Sequence, residues 1–280
     1  MSLLEVTGLS KSFSSGRDLL GRRNRWTHAV RDVSFTIDRG ECLAVVGESG
    51  AGKSTVGRMV LRLVEPDTGT ITFDGVDVRS LKGGQLRRLR RRMQMIFQDP
   101  YSSLDPRMQV ADAVAEPLVV HSAMDAAARE RRVAELLDTV GLGSRYLARY
   151  PAELSGGQLQ RVAIARALAL NPSLIVCDEP VAALDVSVRA QVLNLLKDLQ
   201  EEFGLAYLFV CHDLALVEVI ADSVLVMAAG QVVERGSVEQ IFRTPTEEYT
   251  KRLLAATPVP IPRHSARGHA GAPHPGVTGV

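Results

Sequence analysis

Apolar and polar positions divide the chain into three regions with different periodicity. The first 80 residues or so hold short β-rich runs between polar turns: "LLEVTGL", "VSFTI", "CLAVV" and "ITFDGVDV". These runs predict a small, largely antiparallel layer around one buried strand. From about 99 to 170 the apolar spacing becomes helical. Further on, apolar runs such as "LIVCDEP" and "LAYLFVCHD" alternate with amphipathic stretches, which predicts a parallel sheet covered by helices.

Two segments depart from this pattern. Residues 14–28, "SSGRDLLGRRNRWTH", are polar and basic, and we expect them to form a surface loop. Residues 258–280 are rich in Pro, Gly and other small residues, which predicts a flexible C-terminal tail. The predicted domain therefore spans 1–257, with a helical subdomain at about 99–170.

Composition and charge limit the function classes. The 280 residues are 46% hydrophobic and 23% charged, and the formal net charge is +1, whereas a general nucleic-acid binder is usually more basic. The basic run "RRLRRR" at 87–92 has no interleaved aromatic residues, so we expect a solvated helix face and no nucleic-acid partner. We also expect a cytosolic chain, because it has neither an apolar run of ~18 residues nor a hydrophobic signal region at its N-terminus.

A phosphate-binding loop is the clearest chemical motif. "GESGAGKST" at 47–55 follows the apolar run "CLAVV" and precedes a helical stretch, which is the context that this motif requires. Its glycines let backbone N–H groups surround phosphates, Lys53 reaches the β- and γ-phosphates, and Ser54 is placed to hold Mg²⁺. The nucleotide-binding residues predicted from this loop are Gly47, Glu48, Ser49, Gly50, Ala51, Gly52, Lys53, Ser54 and Thr55.

Adjacent carboxylates end the run "LIVCDEP". Asp178 and Glu179 are also compatible with an ordinary turn at a strand end. Beside a phosphate loop, however, the first carboxylate orients Mg²⁺ and its waters, and the second polarises the attacking water. His212 and Gln98 each follow another apolar run and are predicted to contact the γ-phosphate and the metal or water, respectively. Taken alone, His212 would more often be a structural histidine, and Gln98 alone indicates no function.

The stretch "LSGGQLQR" at 154–161 starts a helix with two glycines. Ser155 and Gln158 fit a capping box, but a cap leaves Gly156 and Gly157 unexplained, although each costs roughly 0.5–1 kcal/mol inside a helix. Exposed N–H groups at the positive end of a helix dipole suit a phosphate. No lysine follows, so this helix would supply only half of a phosphate site.

The ordered set of motifs resembles the ATP-binding subunit of an ABC transporter over about residues 3–255. The set is "GESGAGKST", "FQDP", "LSGGQLQR", "LIVCDEP", "AALD" and "CHD". The resemblance implies an α/β fold with a P-loop RecA-like parallel sheet core, an antiparallel β-subdomain and an inserted α-helical subdomain. It also implies that two subunits pair head to tail, so that "LSGGQ" of one subunit completes the other's ATP site.

The same resemblance assigns roles to the remaining residues. The catalytic set is Glu179, His212 and Gln98; the metal set is Ser54, Gln98 and Asp178; and the groups that contact the nucleotide across the subunit interface are Ser155, Gly156, Gly157, Gln158 and Asp185. An aromatic side chain of the first β-layer is implied to stack on adenine. Phe13 in "LSKSF" is the first choice and Trp26 the alternative, although ordinary packing explains either.

Two further stretches, "FQDPYSSLDPR" and "TPTEEYTKRLLAATP", resemble the dipeptide and oligopeptide importers, a branch that includes nickel and glutathione importers. The implied activity is hydrolysis of ATP to ADP and phosphate, with ATP and Mg²⁺ as cofactors. The implied partners are a second nucleotide-binding subunit, usually a paralogue, two transmembrane permease subunits and an extracytoplasmic substrate-binding protein. The helical subdomain would receive the coupling helix of a permease, which places the chain at the cytoplasmic face of the cell membrane.

Two other functions remain as alternatives. A soluble ABC-type ATPase acting on DNA or the ribosome would share the motifs. DNA-repair relatives, however, insert a long coiled coil where this chain has only about 55 residues between Gln98 and Ser155, and ribosome-acting relatives carry two cassettes in one chain. A metabolic P-loop kinase leaves "LSGGQLQR" unexplained.

Overall fold

The computed structural model describes residues 2–17 and 23–256. The predicted tail at 258–280 lies outside the described residues. The strands are β1 Ser2–Arg17, β2 Arg23–Asp38, β3 Cys42–Val46, β4 Thr68–Phe73, β5 Val76–Asp77, β6 Met93–Ile96, β7 Leu174–Asp178, β8 Ala206–Val210, β9 Ser223–Ala228 and β10 Gln231–Ser237. The helices are α1 Lys53–Val60, α2 Gly83–Arg90, α3 Pro100–Ser103, α4 Val110–His121, α5 Ala126–Thr139, α6 Gly156–Leu168, α7 Val186–Phe203, α8 Leu214–Ile220, α9 Val238–Arg243 and α10 Glu248–Ala255.

A six-stranded sheet with the order β10-β9-β3-β8-β7-β6 forms the centre of the molecule. Its strands are parallel except β10, which runs antiparallel to β9 at one edge. The strands β3, β7 and β8 are buried along their whole length, which explains why their sequences are continuously apolar. The predicted parallel sheet is confirmed.

The loops at the carboxyl edge of this sheet position the candidate site. The phosphate loop follows β3, Gln98 follows β6, Glu179 follows β7 and His212 follows β8. Carboxyl ends of parallel strands share one edge of the sheet, where α/β proteins commonly bind ligands. Four motifs that are far apart in the sequence therefore meet at that edge.

A second, four-stranded sheet with the order β2-β1-β4-β5 is antiparallel. Alternate residues of β3 show how the layers are arranged. Leu43 and Val45 join a core shared with α1 and the antiparallel sheet, whereas Ala44 and Val46 join a core beneath the helices on the opposite face. This alternation is the period of two expected for a strand buried on both faces.

The helices α3 to α6 lie within residues 100–168, the region for which the sequence predicts a helical subdomain. In the described part of the chain, no helix has the length and apolar character needed to cross a membrane. The thiols of Cys42, Cys177 and Cys211 are buried and free.

Two local predictions are wrong. The insertion at 14–28 is strand in its described parts, since β1 continues to Arg17 and β2 begins at Arg23. The two strands pair through their backbone groups, which need no apolar side chains, so the polar sequence gave no strand pattern. The basic run at 87–92 is not simply a solvated face either: Arg90 donates to the carbonyls of Leu61 and Arg62, and Arg92 pairs with Asp74 at 2.7 Å.

Candidate active site

The phosphate loop is wedged between the two sheets. Gly47 has a φ of 148°, and a Cβ on it would overlap the carbonyl oxygen of Met227 at the end of β9. Gly52 has a φ of 97°, and a Cβ there would overlap the carbonyl oxygen of Ala29 on β2. Only glycine avoids both the unfavourable backbone angle and the overlap at these positions. Gly50, with a φ of 81°, has open space beside it.

Lys53 is 4% exposed. Its ammonium donates to the carbonyls of Gly47 at 2.8 Å and Glu48 at 2.9 Å. Burial lowers the pKa of Lys53, while the nearby Glu179 and Asp178 carboxylates oppose that effect. An ammonium has three N–H donors, so one remains for an anion such as a phosphate.

The predicted catalytic residues converge on one oxygen. Oε2 of Glu179 accepts a hydrogen bond from Nε2 of Gln98 at 3.1 Å and lies 3.1 Å from Nδ1 of His212. Glu179 itself has a φ of 49°, in the left-handed region that non-glycine residues rarely adopt and that often marks functional positions. Because Gln98 donates through its nitrogen, its Oε1 remains available to a metal or water.

A cavity of about 480 Å³ connects these groups, a size suited to a small-molecule ligand. Phe13, Asp178, Asp185 and residues 155–158 do not line it. The lining residues are Ala29, Ser49, Gly50, Gly52, Lys53, Ser54, Thr55, Gln98, Glu179 and His212.

Asp178 lies beside this cavity and is only 2% exposed. Its Oδ1 has no hydrogen-bond partner among the described residues, and its Oδ2 lies 3.5 Å from a guanidinium nitrogen of Arg58. A buried carboxylate oxygen without a donor is unfavourable unless a cation or water pairs with it. Together with Ser54 and Gln98 it offers the oxygen ligands that Mg²⁺ prefers, so the residues fit this metal.

The described residues contain no cluster of three His, Cys, Asp or Glu side chains that would hold a metal by themselves. This is compatible with Mg²⁺, because Mg²⁺ at nucleotide sites is usually held by one or two protein ligands together with the phosphates.

The helix start at "LSGGQ" has the predicted capping box. Oγ of Ser155 accepts from the Gln158 N–H at 3.4 Å, and Oε1 of Gln158 accepts from the Ser155 N–H at 2.9 Å. Packing within this chain also explains the glycine at position 157, because a Cβ there would overlap the side chain of Val188 on α7. A Cβ on Gly156 would lie 3.3 Å from Leu184, which is tight but tolerable. Gly157 alone is therefore no indication of a nucleotide.

The adenine-stacking prediction stays open. Phe13 and Trp26 are both exposed, but Phe13 pairs with Thr27 and Ser14 pairs with Trp26. Side chains alternate across a strand pair, so the two aromatic rings lie on opposite faces of the ribbon. The Lys11 ammonium lies 5.7 Å from the centre of the Phe13 ring.

Sequence reasoning missed Arg189. Its Nε donates to the Leu184 carbonyl at 2.7 Å, and another guanidinium nitrogen lies 3.8 Å from Asp213. Arg189 thus ties the "AALD" loop to the loop that carries His212. The available signal was its position near the start of α7, where the helix dipole disfavours a cation unless a specific partner holds it.

Comparison with known proteins identifies the family. The ABC transporter family model matches residues 30–182, which include the phosphate loop, "LSGGQ" and both carboxylates. The chain belongs to the ABC transporter family.

Solved structures of the family share the fold. The chain is similar to the dimeric ATP-binding cassette MJ0796 bound to ADP and Pi, with a TM-score of 0.74 and 31% identity over 84% of this chain and 98% of that one. It is also similar to cbiO1 from Clostridium perfringens, part of the ABC transporter complex cbiONQ, with a TM-score of 0.74 and 29% identity over 87% and 91% of the two chains.

Curated relatives are more similar in sequence. The glutathione import ATP-binding protein GsiA of Pectobacterium atrosepticum is 51% identical over 265 residues, which are 95% of this chain and 42% of the relative. GsiA of Shigella dysenteriae is 53% identical over 93% of this chain and 42% of the relative. The chain therefore spans well under half the length of these relatives.

The wedged loop generates a first prediction. Gly52→Ala should lower the free energy of unfolding of the nucleotide-free chain by at least about 2 kcal/mol, because backbone strain and overlap with Ala29 act together. Gly50→Ala is the matched control: it carries the strain alone and should cost about 1 kcal/mol. Urea unfolding measures both. Equal losses in the two variants would contradict the wedge.

Proposed function

We propose that this chain uses ATP hydrolysis to drive a membrane importer of small peptides, with glutathione among its substrates. The observation that carries the ATPase part is the meeting of Gln98 and His212 on the Glu179 carboxylate, at the cavity that also contains Lys53. A base, two polar positioning groups and a phosphate-binding cation are the groups that phosphoryl transfer to water requires.

Each residue has a definite part in the reaction. Lys53 and the loop N–H groups hold the β- and γ-phosphates, while Glu179 accepts the proton of the attacking water. To do so, Glu179 exchanges its hydrogen bonds with Gln98 and His212 for one from that water. His212 then donates to the γ-phosphate. Ser54, Gln98 and Asp178 would hold Mg²⁺, which would supply charge neutralisation.

A second cassette completes each ATP site in this proposal. The exposed helix start at Ser155 lies outside the cavity that contains Lys53, so it is available to a nucleotide on another subunit. Leu184, next to Asp185, lies beside Gly156, which puts both predicted interface segments on one surface. The similar cassette MJ0796 is dimeric with ADP and Pi bound.

A groove beside the helical subdomain is the proposed docking site for a permease. It has a volume of about 340 Å³ and lies between β6 and the helices α4 and α6. Leu63, Phe97 and Val120 line it and are exposed, a combination typical of protein interaction sites. The occupant we propose is a short amphipathic helix of a membrane subunit. Phe97 directly precedes Gln98, so docking would act on the catalytic residues.

The substrate class rests on the curated relatives. Several are glutathione import ATP-binding proteins at 51–53% identity, and glutathione is a tripeptide. The proposed assembly accordingly contains two cassettes, identical or paralogous, two permease subunits and an extracytoplasmic binding protein. It places this chain at the cytoplasmic face of the membrane.

Glu179→Gln should retain ATP binding and lower turnover at least about 100-fold, because it removes the proton acceptor and keeps the side-chain volume. Steady-state ATPase activity and nucleotide retention in the assembled complex measure the two effects. The exposed Glu218 on α8 provides the control, since Glu218→Gln should change neither. Turnover of Glu179→Gln within threefold of wild type would remove Glu179 from this role.

Ser155→Arg should stop hydrolysis at the partner's phosphate loop and spare ATP binding at Lys53, because a bulky side chain blocks the approach of the two subunits. Photolabelling and vanadate trapping of ADP, in a complex with a distinguishable partner, resolve the two sites. Ser237→Ala removes a comparable helix cap from α9 and should cost only ~1 kcal/mol of stability. If Ser155→Arg, like Ser237→Ala, lowers only stability and leaves hydrolysis at the partner's phosphate loop intact, Ser155 is merely a helix cap.

Leu63→Asp should abolish co-purification of permease subunits from membranes and leave ATP affinity unchanged, because it places a charge in the apolar groove. Val76→Asp is the control, at an exposed apolar position on the antiparallel sheet. Mass spectrometry identifies the bound subunits.

Stimulation of ATPase activity in proteoliposomes by the binding protein loaded with glutathione then tests the substrate. Recovery of DNA or ribosomes with the wild-type chain in place of permeases would refute the importer.

A further inference from the structure

The helix α10 reaches the phosphate loop through one tyrosine. Tyr249 belongs to "TPTEEYTKRLLAATP", and its hydroxyl accepts the backbone N–H of Glu48 at 3.2 Å, across 201 residues of sequence. Nothing in the predicted catalytic set or metal set includes this residue. The contact therefore links a C-terminal helix to the loop that binds phosphate.

The backbone N–H and the backbone carbonyl of Glu48 both have hydrogen-bond partners. While its N–H donates to Tyr249, its carbonyl accepts from the Lys53 ammonium at 2.9 Å and from the Ala51 N–H at 3.2 Å. The Gly47 carbonyl, which belongs to the same peptide group as the Glu48 N–H, accepts from the Lys53 ammonium at 2.8 Å. Tyr249 therefore acts on Lys53 through the two peptide groups that flank the Glu48 Cα.

The hydroxyl itself is well positioned, because α10 is anchored to the sheet. Glu234 on β10 accepts from the Thr246 N–H at 2.7 Å, from the Thr246 hydroxyl at 2.8 Å and from the Glu247 N–H at 3.3 Å. These bonds hold the residues that start α10. The half-buried Tyr249 ring also packs against the main hydrophobic core. Because α10 is anchored, the Tyr249 hydroxyl is already in place, and its hydrogen bond with Glu48 carries no further entropic cost of ordering the helix.

We propose that Tyr249 is a positioning residue for ATP: its hydroxyl holds the Glu48 peptide so that the loop and Lys53 are already arranged for a triphosphate. A phenylalanine would fill the same space and leave the Glu48 N–H without its acceptor. This inference rests on the proposed ATPase function and assigns part of the nucleotide site to the C-terminal helix.

The test is Tyr249→Phe in the full chain, with a fluorescent ATP analogue as the probe. Loss of one hydrogen bond of about 1 kcal/mol corresponds to a roughly fivefold higher Kd, and we expect it to arise from faster dissociation. Maximal turnover of the assembled complex at saturating ATP should stay within twofold of wild type. Hydrogen exchange of the amides at 48–50 should become faster. Lys251→Gln, which removes an exposed ion pair on the same helix, should change none of these quantities.

A second variant tests the anchor. Glu234→Gln weakens the bonds that hold α10 and should raise Kd in the same direction. Its effect should not add to that of Tyr249→Phe, because both act through one contact. Additive effects would overturn the proposed chain of contacts.

Two outcomes for Tyr249→Phe would overturn the proposal. One is a Kd and amide exchange equal to wild type. The other is a lower maximal turnover at unchanged Kd, which would place the effect of Tyr249 in the hydrolysis step and not in ATP binding. Lys53→Ala separates this inference from the proposed function. If Lys53→Ala abolishes ATP binding while Tyr249→Phe has no effect, only the inference fails. If neither variant changes ATP binding, the proposed nucleotide site is itself wrong.

Discussion

Two backbone carbonyls determine where the phosphate loop lies. The Met227 carbonyl closes against Gly47 and the Ala29 carbonyl against Gly52, so the loop is held by β9 of one sheet and β2 of the other. Interiors this closely packed move as units, and the relative position of the two sheets therefore sets the position of the loop. The shape of the cavity and the position of the Gly47 carbonyl, which accepts from Lys53, both depend on this constraint.

One helix spans the distance between the two proposed contact surfaces. The first turn of α6 begins at Ser155, where a second cassette would bind, whereas Ala163, Arg166 and Ala167 further along α6 line the groove. A helix rises 1.5 Å per residue and moves as a rigid element over such lengths. In the proposed assembly, a helix seated in the groove would therefore contact the same helix that presents Ser155 to the partner's ATP. This shared helix would link docking to nucleotide contact.

The sequence predicts the site well where local rules apply. Strand and helix alternation, with motifs after each apolar run, places Gln98, Glu179 and His212 at one sheet edge, because parallel strands share that edge. Reasoning from the sequence fails where a residue's packing or hydrogen-bond partner is distant in sequence. The overlap between Gly157 and Val188 depends on how α6 packs on α7, and the bond from Glu48 to Tyr249 joins residues that share no periodic pattern. Periodicity reports which face is buried, not what covers it.

Glu179, the proposed catalytic base, has Gln98 and His212 on the same carboxylate oxygen. Hydrogen bonds to a carboxylate lower its basicity, so redirecting these two neighbours would make Glu179 a better proton acceptor, and each neighbour is reached from a different direction. Gln98 follows Phe97 in the groove, so in the proposed assembly a permease acts on it. His212 is joined through Asp213 and Arg189 to the Leu184 loop, so the second cassette acts on it. In the proposed assembly, the membrane subunit and the second cassette would therefore both act on the basicity of Glu179, one through Gln98 and the other through His212.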